Sequence, residues 1–192
     1  MMRVIAGKAR GFRLQTLPGE DTTRPTTERV KESVFSMLQF EIEGRAVLDL
    51  FAGSGQMGLE ALSRGAASAV FVDSSKDACD VVRSNARGAK LDTQSRIVNT
   101  NARSFCERSG DRFDMVFLDP PYRAELLPSL LPDVAALMRV GGAVVCETDA
   151  ATVLPERVEG DMLLELEKQR RYGKTMVWIY RCVSQTEKEA IE

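Results

Sequence analysis

The chain has 192 residues, of which 44% are hydrophobic and 28% charged, and a formal net charge of −2, which fits one domain with a sizeable core and no biased or repetitive tract. It contains no histidine, which excludes Ser-His and Cys-His catalysis. Its four cysteines, Cys79, Cys106, Cys146 and Cys182, show no C-x-x-C spacing, so reduced thiols are expected rather than a zinc site, and no metal is expected. No run has the length of a transmembrane helix, and the N-terminus lacks the apolar stretch of a signal peptide, so a cytoplasmic protein is expected.

Residues 1–22 read as a basic extension. Arg3-Val4-Ile5-Ala6 and Gly11-Phe12-Arg13-Leu14 alternate in polarity around Gly7-Lys8-Ala9-Arg10, which predicts a β-hairpin leaning on the main domain or on a binding partner. Before Glu20 the chain carries Arg3, Lys8, Arg10 and Arg13 with no acidic residue, and Arg24, Arg29 and Lys31 follow. A second basic cluster, Lys168, Arg170, Arg171 and Lys174, lies near the C-terminus. Such local patches on a mildly acidic chain suit a polyanion. After the turn-rich 17–21 segment, a helix is predicted from Thr26 or Thr27 to about Gln39. Val30, Val34, Phe35 and Leu38 make its apolar face, with Glu28, Arg29, Lys31 and Glu32 on the other side.

From residue 46 strands and helices alternate. Ala46–Phe51 is a buried strand that runs into Ala52-Gly53-Ser54-Gly55-Gln56-Met57-Gly58 and then a helix over 59–64. Glycines let the backbone approach a ligand, and a helix N-terminus offers free N–H groups. Gly53-x-Gly55-x-x-Gly58 matches the dinucleotide fingerprint, so an NAD-dependent oxidoreductase has to be weighed. Asp49, however, stands awkwardly for a pyrophosphate and suits a cationic ligand. A second strand, 69–72, ends in Asp73, an acid placed to hold ribose hydroxyls. A helix to about Ala89 and a short strand at Ile97-Val98 lead to Asn101, whose amide suits an adenine edge.

The fourth strand, Phe113–Leu118, stops at Asp119-Pro120-Pro121-Tyr122. Proline lacks an N–H and pushes the residue before it into extended geometry, so this unit is a stiff bracket rich in acceptors, with Tyr122 as a flat face beside it. It suits a substrate that donates hydrogen bonds and stacks, as the exocyclic amine of a nucleobase does. A helix over 126–139, a turn at Val140-Gly141-Gly142 and a strand over 143–147 follow. Two strand-like runs, 162–166 and 175–180, close the domain around a basic 170–174 linker. Trp178 and Tyr180 read as packing residues, and Glu147 as either a site-lining or a capping acid. The expected fold is α/β, a mostly parallel doubly wound sheet with an antiparallel C-terminal strand. Asp49, Asp73, Asn101 and Asp119 fall at the carboxyl ends of successive strands, where such sheets bind ligands.

The segments Asp49-Leu-Phe-Ala-Gly-Ser-Gly55 and Asp119-Pro-Pro-Tyr122 resemble the class I S-adenosylmethionine-dependent methyltransferases, with their Rossmann-like fold, that act on exocyclic amines. Arg24-Pro-Thr-Thr-Glu-Arg29-Val-Lys-Glu32-Ser-Val-Phe35, the opening Met2-Arg3-Val4-Ile5-Ala6-Gly7…Gly11 and Arg171-Tyr-Gly-Lys-Thr175 resemble more narrowly the bacterial 16S rRNA guanine-N2 methyltransferase family, over the chain to about Arg181. The resemblance implies that Asp49, Phe51, Ala52, Gly53 and Gly55 hold the methionine part of S-adenosylmethionine, Asp73 the ribose, and Asn101 with Ala102 the adenine. It implies that Asp119, Pro120, Pro121 and Tyr122 hold the target guanine, leaving S-adenosylhomocysteine as product. It further implies that Arg3, Lys8, Arg10, Arg13, Arg24, Thr26 and Arg29 contact RNA. The expected organisation is a 1–22 hairpin, a 23–182 methyltransferase domain and a 183–192 polar tail, acting on 16S rRNA or the small ribosomal subunit; the sequence pattern shows no large exposed apolar face, so a monomer is expected. Other amine targets, such as adenine N6 in DNA, and a non-catalytic RNA-binding assembly factor are the remaining alternatives.

Overall fold

The computed structural model describes residues 2–17, 25–120 and 126–184, with the backbone alone at 25–27. Among the described residues there are five α-helices, α1 (Pro25–Met37), α2 (Gln56–Ser63), α3 (Lys76–Gly88), α4 (Ala102–Arg108) and α5 (Leu126–Ala135). The strands are β1 (Ala46–Asp49), β2 (Ser68–Asp73), β3 (Ser95–Asn99), β4 (Phe113–Leu118), β5 (Met138–Asp149), β6 (Arg157–Val158), β7 (Leu163–Tyr172) and β8 (Thr175–Val183). Their order is β3-β2-β1 among the first three and β4-β5-β8-β7-β6 among the rest. The chain divides into two compact units, Met1–Ala102 and Arg103–Glu192.

In the first unit β1, β2 and β3 pair in parallel, Val47 with Ala69 and Phe71 with Ile97. Parallel neighbours need crossovers, and α2 and α3 supply them. The apolar β1 and β2 residues Val47, Leu48, Phe71 and Val72 are buried, as runs covered on both faces should be. Gly58 lets α2 approach β2, because a Cβ there would stand 2.3 Å from the Phe71 ring. The helix α3 starts at Ser75, whose hydroxyl accepts the Ala78 N–H at 3.2 Å, and buries Ala78, Cys79, Val82 and Ala86 on one face.

The expected N-terminal hairpin is a clasped loop rather than a ribbon. A single antiparallel bridge joins Arg3 and Arg13, with the Val4 N–H on the Phe12 carbonyl and the Gly11 N–H on the Val4 carbonyl, both at 2.9 Å. It leans on α2 as predicted. The Lys8 N–H donates to the Ser63 carbonyl at 2.8 Å and the Ala9 N–H to the Ser63 hydroxyl at 2.9 Å. Gly7 is needed at this contact, since it has φ +80° and a Cβ there would stand 1.8 Å from the Ser63 carbonyl oxygen. Lys31 corrects the sequence reading of α1. It does not face solvent but is 2% exposed, with Nζ donating to the Arg3 carbonyl at 2.6 Å and 3.7 Å from the Glu60 carboxylate.

In the second unit β4 and β5 are parallel, and β5, β8, β7 and β6 follow antiparallel. The expected antiparallel strand β8 is present, and β7 and β6 extend the antiparallel part beyond it. The predicted turn at 140–142 lies inside β5. There β5 advances from Met138 to Ala143 while β4 advances from Phe113 to Met115, so the segment with Gly141 at φ +79° loops out of the ladder as a bulge. The predicted basic linker is mostly strand, with Gly173 and Lys174 alone as the turn between β7 and β8. Trp178 and Tyr180 pack as expected. The Trp178 indole donates to the Thr148 hydroxyl at 3.0 Å, and the Tyr180 hydroxyl donates to the Pro155 carbonyl at 2.8 Å. All four cysteines are buried and unbridged, and burial pushes Cys106 up to about 12 and Cys182 up to about 11. They are packing thiols rather than nucleophiles. Among the described residues no helix is long and apolar enough to cross a membrane.

Candidate active site

The first unit carries the residues read as cofactor ligands at the carboxyl ends of its parallel strands. Asp49 closes β1. It is 3% exposed, and its carboxylate accepts the Gly58 N–H at 2.9 Å, so it ties the end of the strand to the first turn of α2. Between them the chain turns through Gly53 at φ +51° and Gly55 at φ +78°, values that side chains other than glycine rarely adopt. A Cβ at Gly53 would meet nothing within 4 Å, so the turn is open on that side. Phe51 is half-buried, and the buried Ala52 donates its N–H to the Val72 carbonyl at 3.0 Å.

Asp73 closes β2 and holds the same turn. One carboxylate oxygen accepts the Gly53 N–H at 2.9 Å and the other accepts the Ser75 N–H at 2.8 Å. Each oxygen retains a second lone pair for a ligand hydroxyl. Asn101 is exposed just beyond β3, and Ala102 is buried as the first residue of α4. The structure therefore brings Asp49, Gly53, Gly55 and Asp73 into one hydrogen-bonded loop.

In the second unit Asp119 follows β4 with its side chain exposed, and Pro120 is half-buried. Pro121 and Tyr122 lie outside the described residues. The parallel register pairs Leu118 with Cys146, so Glu147 takes the neighbouring place at the end of β5's buried run. Burial, and next the Asp119 carboxylate, push the Glu147 carboxyl up to about 8. From sequence Glu147 reads as a lining or a capping acid, and its proximity to Asp119 places it at the same acidic edge.

That shift has a consequence for stability. A carboxyl raised from its ordinary value near 4.5 to about 8 binds more protons folded than unfolded between those pH values, so stability declines as pH rises through that window. Glu147→Gln should leave the unfolding free energy nearly unchanged at pH 4 and raise it by on the order of 1–2 kcal/mol at pH 9. Urea unfolding at the two pH values checks this, and equal effects at both would refute it.

Of the residues read as RNA contacts, Arg3, Lys8, Arg10, Arg13 and Arg29 are exposed. Arg3 and Arg13 stand opposite each other and border a shallow depression with Gly11 and Glu28, where Arg3 lies 3.8 Å from the Glu28 carboxylate. Lys8 donates to the Gln94 side chain. Arg24 lies outside the described residues, as does the side chain of Thr26. Glu60 escaped the sequence reading altogether. Its buried carboxylate accepts the Ile5 N–H at 2.7 Å and the Ala6 N–H at 3.0 Å, anchoring the basic loop. Its one signal was an acid inside the otherwise apolar run Leu59–Leu62.

A first unit whose parallel strands end in Asp49 and Asp73 around a glycine turn, and a second whose parallel strand β4 ends at Asp119 and Pro120, are features of a class I methyltransferase. The chain belongs to the family described as "Conserved hypothetical protein 95", whose model matches residues 2–181. It is 39% identical over 185 residues to the "Putative rRNA methyltransferase YlbH" of Bacillus subtilis, covering 94% of this chain and 98% of that protein. It is 41% identical over 126 residues to "Ribosomal RNA small subunit methyltransferase D" of Escherichia coli strain K12, covering 66% of this chain and 63% of that protein. Among solved structures, the Escherichia coli protein titled "Putative methyltransferase yhhF" superposes with a TM-score of 0.82 at 31% identity, covering 96% of this chain and 99% of that one.

Proposed function

We propose that the chain transfers a methyl group from S-adenosylmethionine to the exocyclic N2 of a guanine in 16S rRNA of the small ribosomal subunit, acting as a monomer in the cytoplasm. The observation that carries this reading is the exposed Asp119 carboxylate at the end of β4, in a chain similar to one protein named for ribosomal RNA and to another named for its small subunit.

The residues present fit the cofactor. Gly53 leaves open space where a side chain would stand, Asp73 offers lone pairs to ribose hydroxyls, and Asn101 is exposed for the adenine edge. Asp49 places a negative charge under the glycine turn, which favours the ammonium end of a methionine. When bound, S-adenosylmethionine supplies a methyl group on a sulfonium, a strong electrophile.

The protein's task is then to make a poor nucleophile attack. The N2 lone pair of guanine is delocalised into the ring. Asp119 and the Pro120 carbonyl accept the amine hydrogens, which favours a pyramidal nitrogen and fixes the direction of its lone pair. Positioning of this kind accounts for large rate enhancements without a tuned base. The surplus proton leaves to Asp119 or to water, in keeping with a chain that has no histidine. Tyr122 stacks on a base taken out of its helix. Arg3, Arg10, Arg13 and Arg29 meet the phosphates, which makes binding salt-dependent.

The test uses labelled S-adenosylmethionine and small subunits from cells lacking the protein, with the product mapped by nuclease digestion. N2-methylguanosine at one site supports the reading, and cofactor binding without transfer to subunits or rRNA would sink it. Asp73→Ala removes the acceptor of both the Gly53 and Ser75 N–H groups, so its affinity for S-adenosylhomocysteine should drop about 10–100-fold by calorimetry.

A further inference from the structure

We propose that Glu147 reads the N1–H of the target guanine while Asp119 accepts the neighbouring N2–H, so that the two carboxyls select guanine among the bases. This rests on the guanine-N2 reading above and adds its specificity residue.

Three observations carry it. The first is register. β4 and β5 run parallel with Leu118 opposite Cys146, so Asp119 and Glu147 continue side by side from the same ends of adjacent strands. Neighbouring strands lie about 4.8 Å apart, a spacing at which two carboxyls can serve adjacent atoms of one ring edge. The second is the lack of any structural partner. Among the described residues no N–H or O–H donates to Glu147 and no cation pairs with it, while Trp178, Tyr180 and Thr148 close by are all hydrogen-bonded. The third is its surroundings. Glu147 is half-buried, stands opposite the buried Val177 on β8, and the charged group that acts on it is the Asp119 carboxylate.

A half-buried acid facing another acid, with no donor among the described residues, works against the fold. An acid kept to cap the strand end would be met by N–H groups, and among the described residues none meets this one. What satisfies it is a ligand that brings donors to both carboxyls at once. The Watson–Crick edge of guanine does so, with N1–H beside N2–H. Adenine brings a bare N1 acceptor there, and cytosine a bare N3. Whether ionised or protonated, Glu147 keeps an acceptor oxygen for N1–H.

The test pairs two substrates with three enzymes. Small subunits are reconstituted with guanosine or 1-methylguanosine at the mapped target, which removes the N1–H but leaves N2 free to react. Wild type should prefer guanosine by about 10–100-fold in kcat/KM, the range for leaving a desolvated acceptor without its hydrogen-bond partner. Glu147→Leu, similar in size but without oxygens, should use both RNAs at one reduced rate. Glu147→Gln keeps an acceptor oxygen and should keep a preference for guanosine. Binding of S-adenosylhomocysteine should stay within about twofold of wild type in both variants, since the residues assigned to it lie in the first unit. A Glu147→Leu enzyme that keeps the wild-type preference would show that the added methyl merely collides with the site, and would overturn the proposal. So would a Glu147→Gln enzyme that loses the preference entirely. Failure of wild type to make N2-methylguanosine on the unmodified subunit would bring down the guanine reading itself, and this proposal with it.

Discussion

Asp119→Ala is expected to lower methyl transfer about 10³-fold in kcat/KM while leaving affinity for S-adenosylhomocysteine within twofold of wild type. The side chain is exposed just past β4, so its removal opens no cavity in the core, and stability should change by no more than about 0.5 kcal/mol. The loss falls on chemistry. Each hydrogen bond to a charged acceptor contributes roughly tenfold to a hundredfold, and losing the direction of the nucleophile adds to that. The residues assigned to the cofactor lie in the first unit and keep their own hydrogen bonds. Asp119→Asn, which retains an acceptor oxygen without the charge, should fall between the two. The variant also acts on Glu147. Burial is the first cause of its raised value and the Asp119 carboxylate the second, so in Asp119→Ala the carboxyl should move down from about 8 without reaching its ordinary range. Single-turnover rates with labelled S-adenosylmethionine, paired with calorimetry, decide the matter. Transfer at the wild-type rate would remove Asp119 from the mechanism.

The parallel core was legible because its signals are local. Val47-Leu48 and Val70-Phe71-Val72 are apolar on both faces of a strand, and each ends in a single acid, so alternation with helices was enough to line Asp49 and Asp73 up on one set of strand ends. Gly53 and Gly55 were legible for the same reason, since their positive φ is a property of the turn itself. The features that escaped depend on partners distant in sequence. Lys31 looks like part of a charged helix face until the Arg3 carbonyl, 28 residues away, and Glu60 close over it. Glu147 reads equally as a lining or a capping acid until register places it beside Asp119. The residues 140–142 carry the composition of a turn and do loop out, but as a bulge within β5, because pairing with β4 resumes at Ala143. The helix α4 and the strand β6, at seven and two residues, are too short for periodicity to register.

Glu60→Ala should be the most destabilising single change outside the apolar core. The carboxylate is fully buried and serves four groups. The Ile5 and Ala6 N–H groups donate to it, Arg64 Nε donates at 2.7 Å, and the Lys31 ammonium stands 3.7 Å away. Removing it leaves two part-buried backbone donors and a buried ammonium without their anion. Burial already draws the Lys31 ammonium below its ordinary range, and Glu60 is the main influence holding it up. Breaking one side of a buried pair costs about 3–5 kcal/mol, which for a chain of this length lowers Tm by roughly 10 °C. The loss should also be local. The loop that carries Arg3, Lys8, Arg10 and Arg13 is tied to α2 at Ile5, Ala6, Lys8 and Ala9, and Glu60 holds the first two of these. Hydrogen exchange at Ile5 and Ala6 should therefore be slow in the wild type and fast in the variant, while Val47, Leu48 and Phe71 in the core keep their protection below the melting point. A loose basic loop still attracts phosphate but no longer presents its charges in one arrangement. Transfer to small subunits should thus weaken through KM more than through kcat, and the salt dependence of binding should persist. Unchanged exchange at Ile5 and Ala6 would mean that the Ser63 contacts alone hold the loop, and Glu60 would then be a buried charge kept for Arg64 and Lys31.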